Sequence, residues 1–206
     1  TYTDGASERT IGAASPGPEV VVGTKGGFAP GTGSPEQLRA QVDESLRRLR
    51  VESISLYYLH RVDPETPLEE SLAALAECRE AGKIRHVGLS HVDVEQIERA
   101  REVVPIAAVQ NHYNLAERRY EDVVDHCQAE GIVFVPYFPL RDDGGRPVDE
   151  IAQRHGATPA QVSLAWLLSR SPAMLPIPGS LSIEHVRENL AALELELSSD
   201  ELEALR

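Results

Sequence analysis

Two apolar runs of this chain each end in a side chain that can hold a proton or a charge. They are Val20-Val21-Val22-Gly23-Thr24-Lys25 and Ile54-Ser55-Leu56-Tyr57-Tyr58-Leu59-His60, and Tyr2 stands at the chain start. A strand of a parallel sheet is covered on both faces and therefore reads as a continuous apolar run. In a β/α barrel, a reactive residue at the C-terminal end of such a strand lies on the catalytic face. A free tyrosine has a pKa of about 10, too high for acid–base work near neutrality. A nearby ammonium favours the phenolate and lowers that pKa. Tyr2, Lys25 and His60 are therefore the candidate active site, with Lys25 as the ammonium.

The elements that must position these residues follow from the pattern of apolar positions. Candidate strands are Val20–Thr24, Ile54–His60, Ile84–Leu89, Ala107–Gln110, Ile132–Pro136 and Met174–Ile177. Helical patterns separate them. Ser34-Pro35-Glu36 opens one as a cap followed by proline in the first turn, and Leu38, Val42, Leu46 and Leu49 recur every three or four residues. Others cover Leu68–Ala81, Val94–Val103, Arg118–Glu130, Val148–His155, Thr158–Ser169 and Ile183–Leu190. Gly82 and Gly131 stand where helices end. Tyr2 to Ala14 reads as a loop and a helix.

Repeated β-α order with short connections implies a parallel sheet in an α/β fold. Six strands are visible, whereas a closed (β/α)8 TIM barrel needs eight and about 250 residues. The expectation is a barrel whose first strand-helix unit and most of whose second strand are missing from the chain. An open doubly wound sheet is the alternative, but no G-x-G-x-x-G follows the first strand.

The 206 residues suffice for one sizeable core, and a single domain over 1–206 is expected. With 41% hydrophobic and 26% charged residues the composition is that of a globular protein. A net charge of -13 argues against a nucleic-acid partner, since phosphates are neutralised by Lys and Arg. No apolar stretch is long enough to span a bilayer and no signal-peptide pattern is present, so a cytoplasmic protein with no membrane partner is expected. Cys78 and Cys127 lie far apart, without C-x-x-C or a ligand cluster, and read as reduced thiols; no metal site is expected. Arg39, Arg47, Arg48 and Arg50 read with Glu36, Asp43 and Glu44 as a solvated charged helix surface.

Several motifs together resemble the aldo-keto reductase family. They are Tyr2-Thr3-Asp4-Gly5-Ala6-Ser7-Glu8, Gly23-Thr24-Lys25-Gly26-Gly27, Leu56-Tyr57-Tyr58-Leu59-His60-Arg61-Val62-Asp63-Pro64 and Gly82-Lys83-Ile84-Arg85-His86-Val87-Gly88-Leu89-Ser90. Val109-Gln110-Asn111, Pro136-Tyr137-Phe138-Pro139-Leu140, Ile177-Pro178-Gly179-Ser180 and Glu188-Asn189 continue the order. The resemblance covers nearly the whole chain. It implies a (β/α)8 barrel that reduces an aldehyde or ketone to an alcohol with a nicotinamide cofactor, NADP(H) first and NAD(H) as the alternative. It assigns Tyr2 as proton donor, Lys25 as the group that lowers its pKa and His60 as the donor that orients the carbonyl. The family's catalytic aspartate precedes its tyrosine by a few residues, a position that falls before Thr1. A catalytically inactive or incomplete nucleotide-binding or regulatory module is the alternative reading.

The same resemblance implies a cofactor site. Ser90 and Gln110 would hold the nicotinamide carboxamide, with His91 where the family usually has asparagine. Tyr137 would stack on the nicotinamide ring, flanked by Phe138 and Leu140. Ile177, Gly179 and Ser180 would form the adenosine-phosphate loop, which precedes a helix whose free N–H groups suit a phosphate. His185 stands where an arginine is common, and Glu188 and Asn189 would contact adenine. His86, His112, His126 and His155 read as structural or surface residues. The partner implied is a small-molecule carbonyl substrate.

Overall fold

A computed structural model describes residues 2–140 and 145–206, with the side chains of Tyr2 and Thr3 outside the description. The chain forms two compact units, one ending at Val109 and one beginning at Gln110.

The first unit opens with a 3-10 turn, Tyr2–Gly5, that runs into helix α1 (Ala6–Ala14). Then follow β1 (Gly23–Gly26), α2 (Pro35–Leu49), β2 (Ile54–Leu59), α3 (Leu68–Glu80), β3 (Ile84–Ser90), α4 (Val94–Arg101) and β4 (Ile106–Gln110). The strands lie in the order β1-β2-β3-β4. β1 and β2 pair in parallel with Lys25 opposite Tyr58, and β2 and β3 pair in parallel with Tyr58 opposite Gly88. Tyr57, Leu59, Ile84, Val87 and Leu89 are fully buried between the sheet and the helices, as the apolar runs require. Of the expected α2 stripe Leu38, Val42 and Leu49 are buried, with Ser45 on the same face, while Leu46 is half-buried. Ser34 stands at the N-cap of α2, but Pro35 rather than a side-chain cap bond sets the start. Gly82 and Gly131 both adopt positive φ, which lets the chain leave a helix without a Cβ clash.

Three of the expected strands are shorter or displaced. Val20 and Val21 lie outside the sheet: Gly17 to Val20 make a turn closed by Val20 N–H donating to the Gly17 carbonyl at 3.0 Å, and the ladder starts where the Val22 carbonyl accepts from Leu56 N–H at 3.3 Å, just before Gly23. Val20 and Val21 are consequently exposed. In the second unit, Ile132–Pro136 contracts to β5 (Val133–Phe134). Met174–Ile177 contributes one bridge, with Phe134 N–H donating to the Ala173 carbonyl and Leu175 N–H to that of Phe134, both at 2.8 Å. Beyond it Pro176 and Pro178 supply no donors, so the ladder stops.

The second unit continues with α5 (Glu121–Glu130), β5, α6 (Arg146–His155), α7 (Pro159–Arg170), α8 (Ile183–Ala191) and α9 (Ser199–Ala204). Its centre is aromatic. Tyr113 stacks on Trp166 at 5.8 Å and meets Phe134 edge-on at 5.7 Å. α9 escaped the sequence pattern because it is short. It is fixed by a capping box in which Ser198 accepts from Glu201 N–H and Glu201 accepts from Ser198. Cys78 and Cys127 are both buried, unbridged thiols.

Candidate active site

Strand ends in the first unit carry the candidate chemistry. Lys25 sits one residue from the end of β1, and His60 directly follows β2, its N–H donating to the Gly26 carbonyl at 2.7 Å. Because β1 and β2 are parallel and in register, both side chains emerge at the same end of the sheet. They line one cavity of about 230 Å³, together with Glu8, Ile11, Thr24 and Leu49.

Burial sets the electrostatics. The Lys25 ammonium lies 5.5 Å from the centroid of the Tyr58 ring, and desolvation lowers its pKa below the ordinary lysine value. His60 is 7% exposed. Desolvation first, and the Lys25 charge second, bring its pKa down to about 3, so it is a neutral imidazole near pH 7. Its Nδ1 is buried with no hydrogen-bond partner among the described residues, while Phe28 packs against the ring at 4.8 Å. An unpartnered buried nitrogen in a cavity wall is a place for a ligand or water to complete. Tyr58, beneath Lys25, is pushed up to about 12 by burial and stays a phenol.

Tyr2 lies in the turn leading into α1, and its side chain falls outside the described residues. α1 itself is anchored at this site by a group that the sequence reading missed. Buried Glu8 accepts from Thr24 Oγ1 at 2.6 Å and pairs with Arg48 of α2 at 3.3 Å. Arg48 was expected on a solvated surface. Instead its side chain is 13% exposed and bridges Glu8 and Glu44. It flanks the buried stripe, three positions after Ser45 and next to Leu49, and that flank is the signal that could have found it.

The other cofactor candidates fall in two groups. In the first unit, Ser90 ends β3, is 1% exposed and holds His91 through Oγ···Nδ1 at 2.9 Å. His91 has positive φ and its ring lies 6.3 Å from that of His60, so Ser90, His91 and His60 are neighbours. The loop beyond β1 is pinned by Asp63, which accepts from the N–H groups of Gly31 at 3.0 Å, Gly33 at 2.8 Å and Glu65 at 3.0 Å. Desolvation would raise the Asp63 pKa, but these backbone bonds outweigh it and hold the carboxyl below its usual range.

In the second unit, Gln110 closes β4 and is buried. Tyr137 is half-buried and stacks on His112 at 5.1 Å with a 12° interplanar angle, a partnership that the sequence reading left out when it treated His112 as structural. Phe138 is half-exposed at positive φ, and its carbonyl accepts from Asn114 at 2.9 Å. Leu140 is half-buried, and Arg141 to Gly144 lie outside the described residues. Ile177 and Gly179 are exposed on the loop before α8. Ser180 accepts from Ser182 N–H at 3.0 Å, and Ser182 caps α8. That leaves first-turn N–H groups of α8 without intrahelical partners, as at any helix start. His185 is exposed, and Glu188 and Asn189 are half-buried on the same helix. An exposed, capped helix start after an open loop fits an anionic phosphate.

Among the described residues no three His, Cys, Asp or Glu side chains gather as a metal site. No helix among them is long and apolar enough to cross a membrane.

The architecture is that of the (β/α)8 barrel reductases. The model of the aldo/keto reductase family matches residues 1–145 and 141–206. Pyridoxine 4-dehydrogenase of Escherichia coli is 40% identical over 183 residues, covering 84% of this chain and 63% of the relative. A thermostable aldo-keto reductase, Tm1743, solved with the inhibitor epalrestat, superposes with a TM-score of 0.92 at 36% identity, over 99% of this chain and 78% of that one. An aldo-keto reductase from Klebsiella pneumoniae, solved with NADPH, gives 0.89 at 33% identity, over 100% of this chain and 76% of that one. The chain belongs to the aldo-keto reductase family. It spans 63% of the length of the first curated relatives that it matches.

Proposed function

We propose that this chain carries the catalytic and cofactor-binding residues of an NADP(H)-dependent reductase that converts a small aldehyde or ketone to an alcohol. The observation that carries the reading is the pairing of Lys25 and neutral His60 at adjacent parallel strand ends around one cavity. The bound nicotinamide would supply the hydride. The developing charge on the carbonyl oxygen needs a donor already in place. His60, held neutral, offers a ring N–H to that oxygen without adding a charge. Tyr2 donates the proton, and the Lys25 ammonium eases that donation by favouring the phenolate left behind.

Ser90 and Gln110 would hold the carboxamide, Tyr137 with Phe138 and Leu140 would face the nicotinamide ring, and Ser180 with the start of α8 would take the phosphate. Ile177, Gly179, His91, His185, Glu188 and Asn189 would supply the remaining contacts. NADP(H) is favoured over NAD(H) by the NADPH-bound Klebsiella relative. Two buried free thiols suit the cytoplasm.

The test is Tyr2→Phe in the protein carrying this chain. Turnover of a carbonyl substrate should fall by at least about 100-fold, the usual contribution of a positioned general acid, while NADPH binding by calorimetry is retained. Unchanged turnover would remove the assignment.

A further inference from the structure

Arg61 directly follows His60 and stands, exposed, at the same strand end. Acidic residues outnumber basic ones 33 to 20 in this chain, yet the Arg61 side chain has no ion pair and no hydrogen bond among the described residues. The carboxylate nearest to it in sequence, Asp63, is taken up by the backbone N–H groups of Gly31, Gly33 and Glu65.

An aromatic ring holds Arg61 instead. Its guanidinium carbon lies 5.2 Å from the centroid of Phe28, a cation–π contact. Phe28 meets the His60 ring at 4.8 Å and is still 51% exposed. Imidazole, phenyl ring and guanidinium therefore form a row that leads from the catalytic strand end to solvent. The loop that carries Phe28 is fixed by Asp63, so the row is set before any ligand arrives. A guanidinium held over a ring keeps N–H groups free for a carboxylate, whose two oxygens match its fork. After desolvation and Lys25, the Arg61 charge also disfavours protonation of His60, so it is felt where the carbonyl would bind.

We propose that Arg61 is a specificity-determining residue that binds the carboxylate of a carbonyl substrate, with the reacting end at His60 and the body of the substrate on Phe28. The preferred substrates are then aldehydes or ketones in which about one ring's length separates the carbonyl from a carboxylate, a spacing set by the single phenyl ring between imidazole and guanidinium. The carbonyl end of this inference rests on the reductase reading; the carboxylate contact rests on Arg61 and Phe28 alone.

The experiment takes the protein carrying this chain, with NADPH, and compares 4-carboxybenzaldehyde with its neutral methyl ester. The ratio of the two kcat/KM values cancels any change that a substitution makes to folding or to the chemical step. In Arg61→Gln the ratio should fall at least about tenfold, the loss of one charge-assisted pair. Arg61→Lys should keep part of the preference, because the charge stays while the fork is lost. Added salt should lower the ratio in the native protein and leave it flat in Arg61→Gln. An equal change for both substrates, or none, overturns the proposal. Calorimetric titration with the product, 4-(hydroxymethyl)benzoate, needs no turnover: the native protein should bind it at least about tenfold more tightly than Arg61→Gln does. Binding that depends on Arg61 without turnover of either aldehyde would count against the reductase reading alone. Turnover with a ratio that Arg61→Gln does not move would count against the carboxylate contact alone, and loss of both turnover and Arg61-dependent binding would remove both.

Discussion

Arg48 and Glu8, forty residues apart, form a mostly buried ion pair that ties α1 to α2. Thr24 Oγ1 donates to the other oxygen of Glu8, so the same carboxylate also ties α1 to β1, one residue before Lys25. Gly5 is required by this arrangement. It adopts a φ of +79°, and a Cβ there would lie 2.5 Å from Arg48 Nε.

Removing the guanidinium strands a charge. Arg48→Met leaves Glu8 buried without its cation and should cost about 3 kcal/mol of stability, in the range for breaking a buried pair. Glu8→Gln keeps an acceptor for Thr24 and should cost less, about 1 kcal/mol. Urea unfolding of the single and double variants measures both and the coupling between them. A coupling near zero would mean that the pair does not hold α1.

Arg48 also shows where sequence reading stops. The strand-end positions of Lys25, His60, Ser90 and Gln110 were legible because strands bury both faces, so a polar residue at the end of an apolar run stands out; the roles of Ser90 and Gln110 came only from the family resemblance. The stripe of α2 was legible from its period. Arg48 was not, because its burial comes from α1, an element distant in sequence, and its helix neighbours Arg47 and Glu44 are exposed. The stacking of His112 on Tyr137 likewise joins positions 25 residues apart. Val20 and Val21 failed for a local reason: an apolar run predicts a strand only if its donors are free to pair, and the Gly17–Val20 turn takes the N–H of Val20.

His60 makes stability depend on pH. Its folded pKa, about 3, lies below the ordinary histidine value of 6.5, so between these values the unfolded chain binds more protons than the native one. Stability should therefore fall as pH drops from about 6.5 towards 3, and be independent of this group above that window. His60→Gln should flatten this part of the profile of melting temperature against pH. An unchanged acid slope would show that His60 titrates normally.

Asp63 should control the loop that presents Phe28 to His60. Asp63→Ala leaves the buried N–H of Gly33, and the partly exposed ones of Gly31 and Glu65, without their acceptor and should cost about 1–3 kcal/mol, the penalty for one buried unsatisfied donor. Asp63→Asn retains one oxygen and should lose less. Hydrogen exchange at Gly31 and Gly33 reports the effect directly: both amides should exchange faster in the alanine variant.

Gly88 sets the floor beneath Lys25. It sits opposite Tyr58 across the β2–β3 pair, and a Cβ at Gly88 would lie 2.5 Å from the Tyr58 ring and 3.1 Å from the Ala108 carbonyl. The ring cannot retreat freely, because Tyr58 is itself buried and the Lys25 ammonium lies over it. Gly88→Ala should therefore cost about 1–3 kcal/mol, as overpacking of a core does, and should displace Tyr58 towards Lys25. The second effect separates this residue from an ordinary packing position. If Tyr58 shifts, the environment of Lys25 changes with it, and the Lys25 amine should titrate at a different pH in the variant. Nuclear magnetic resonance of the Lys25 side chain, with Lys83 as the internal standard, reads that shift. Loss of stability with an unmoved Lys25 titration would show that Gly88 serves packing alone.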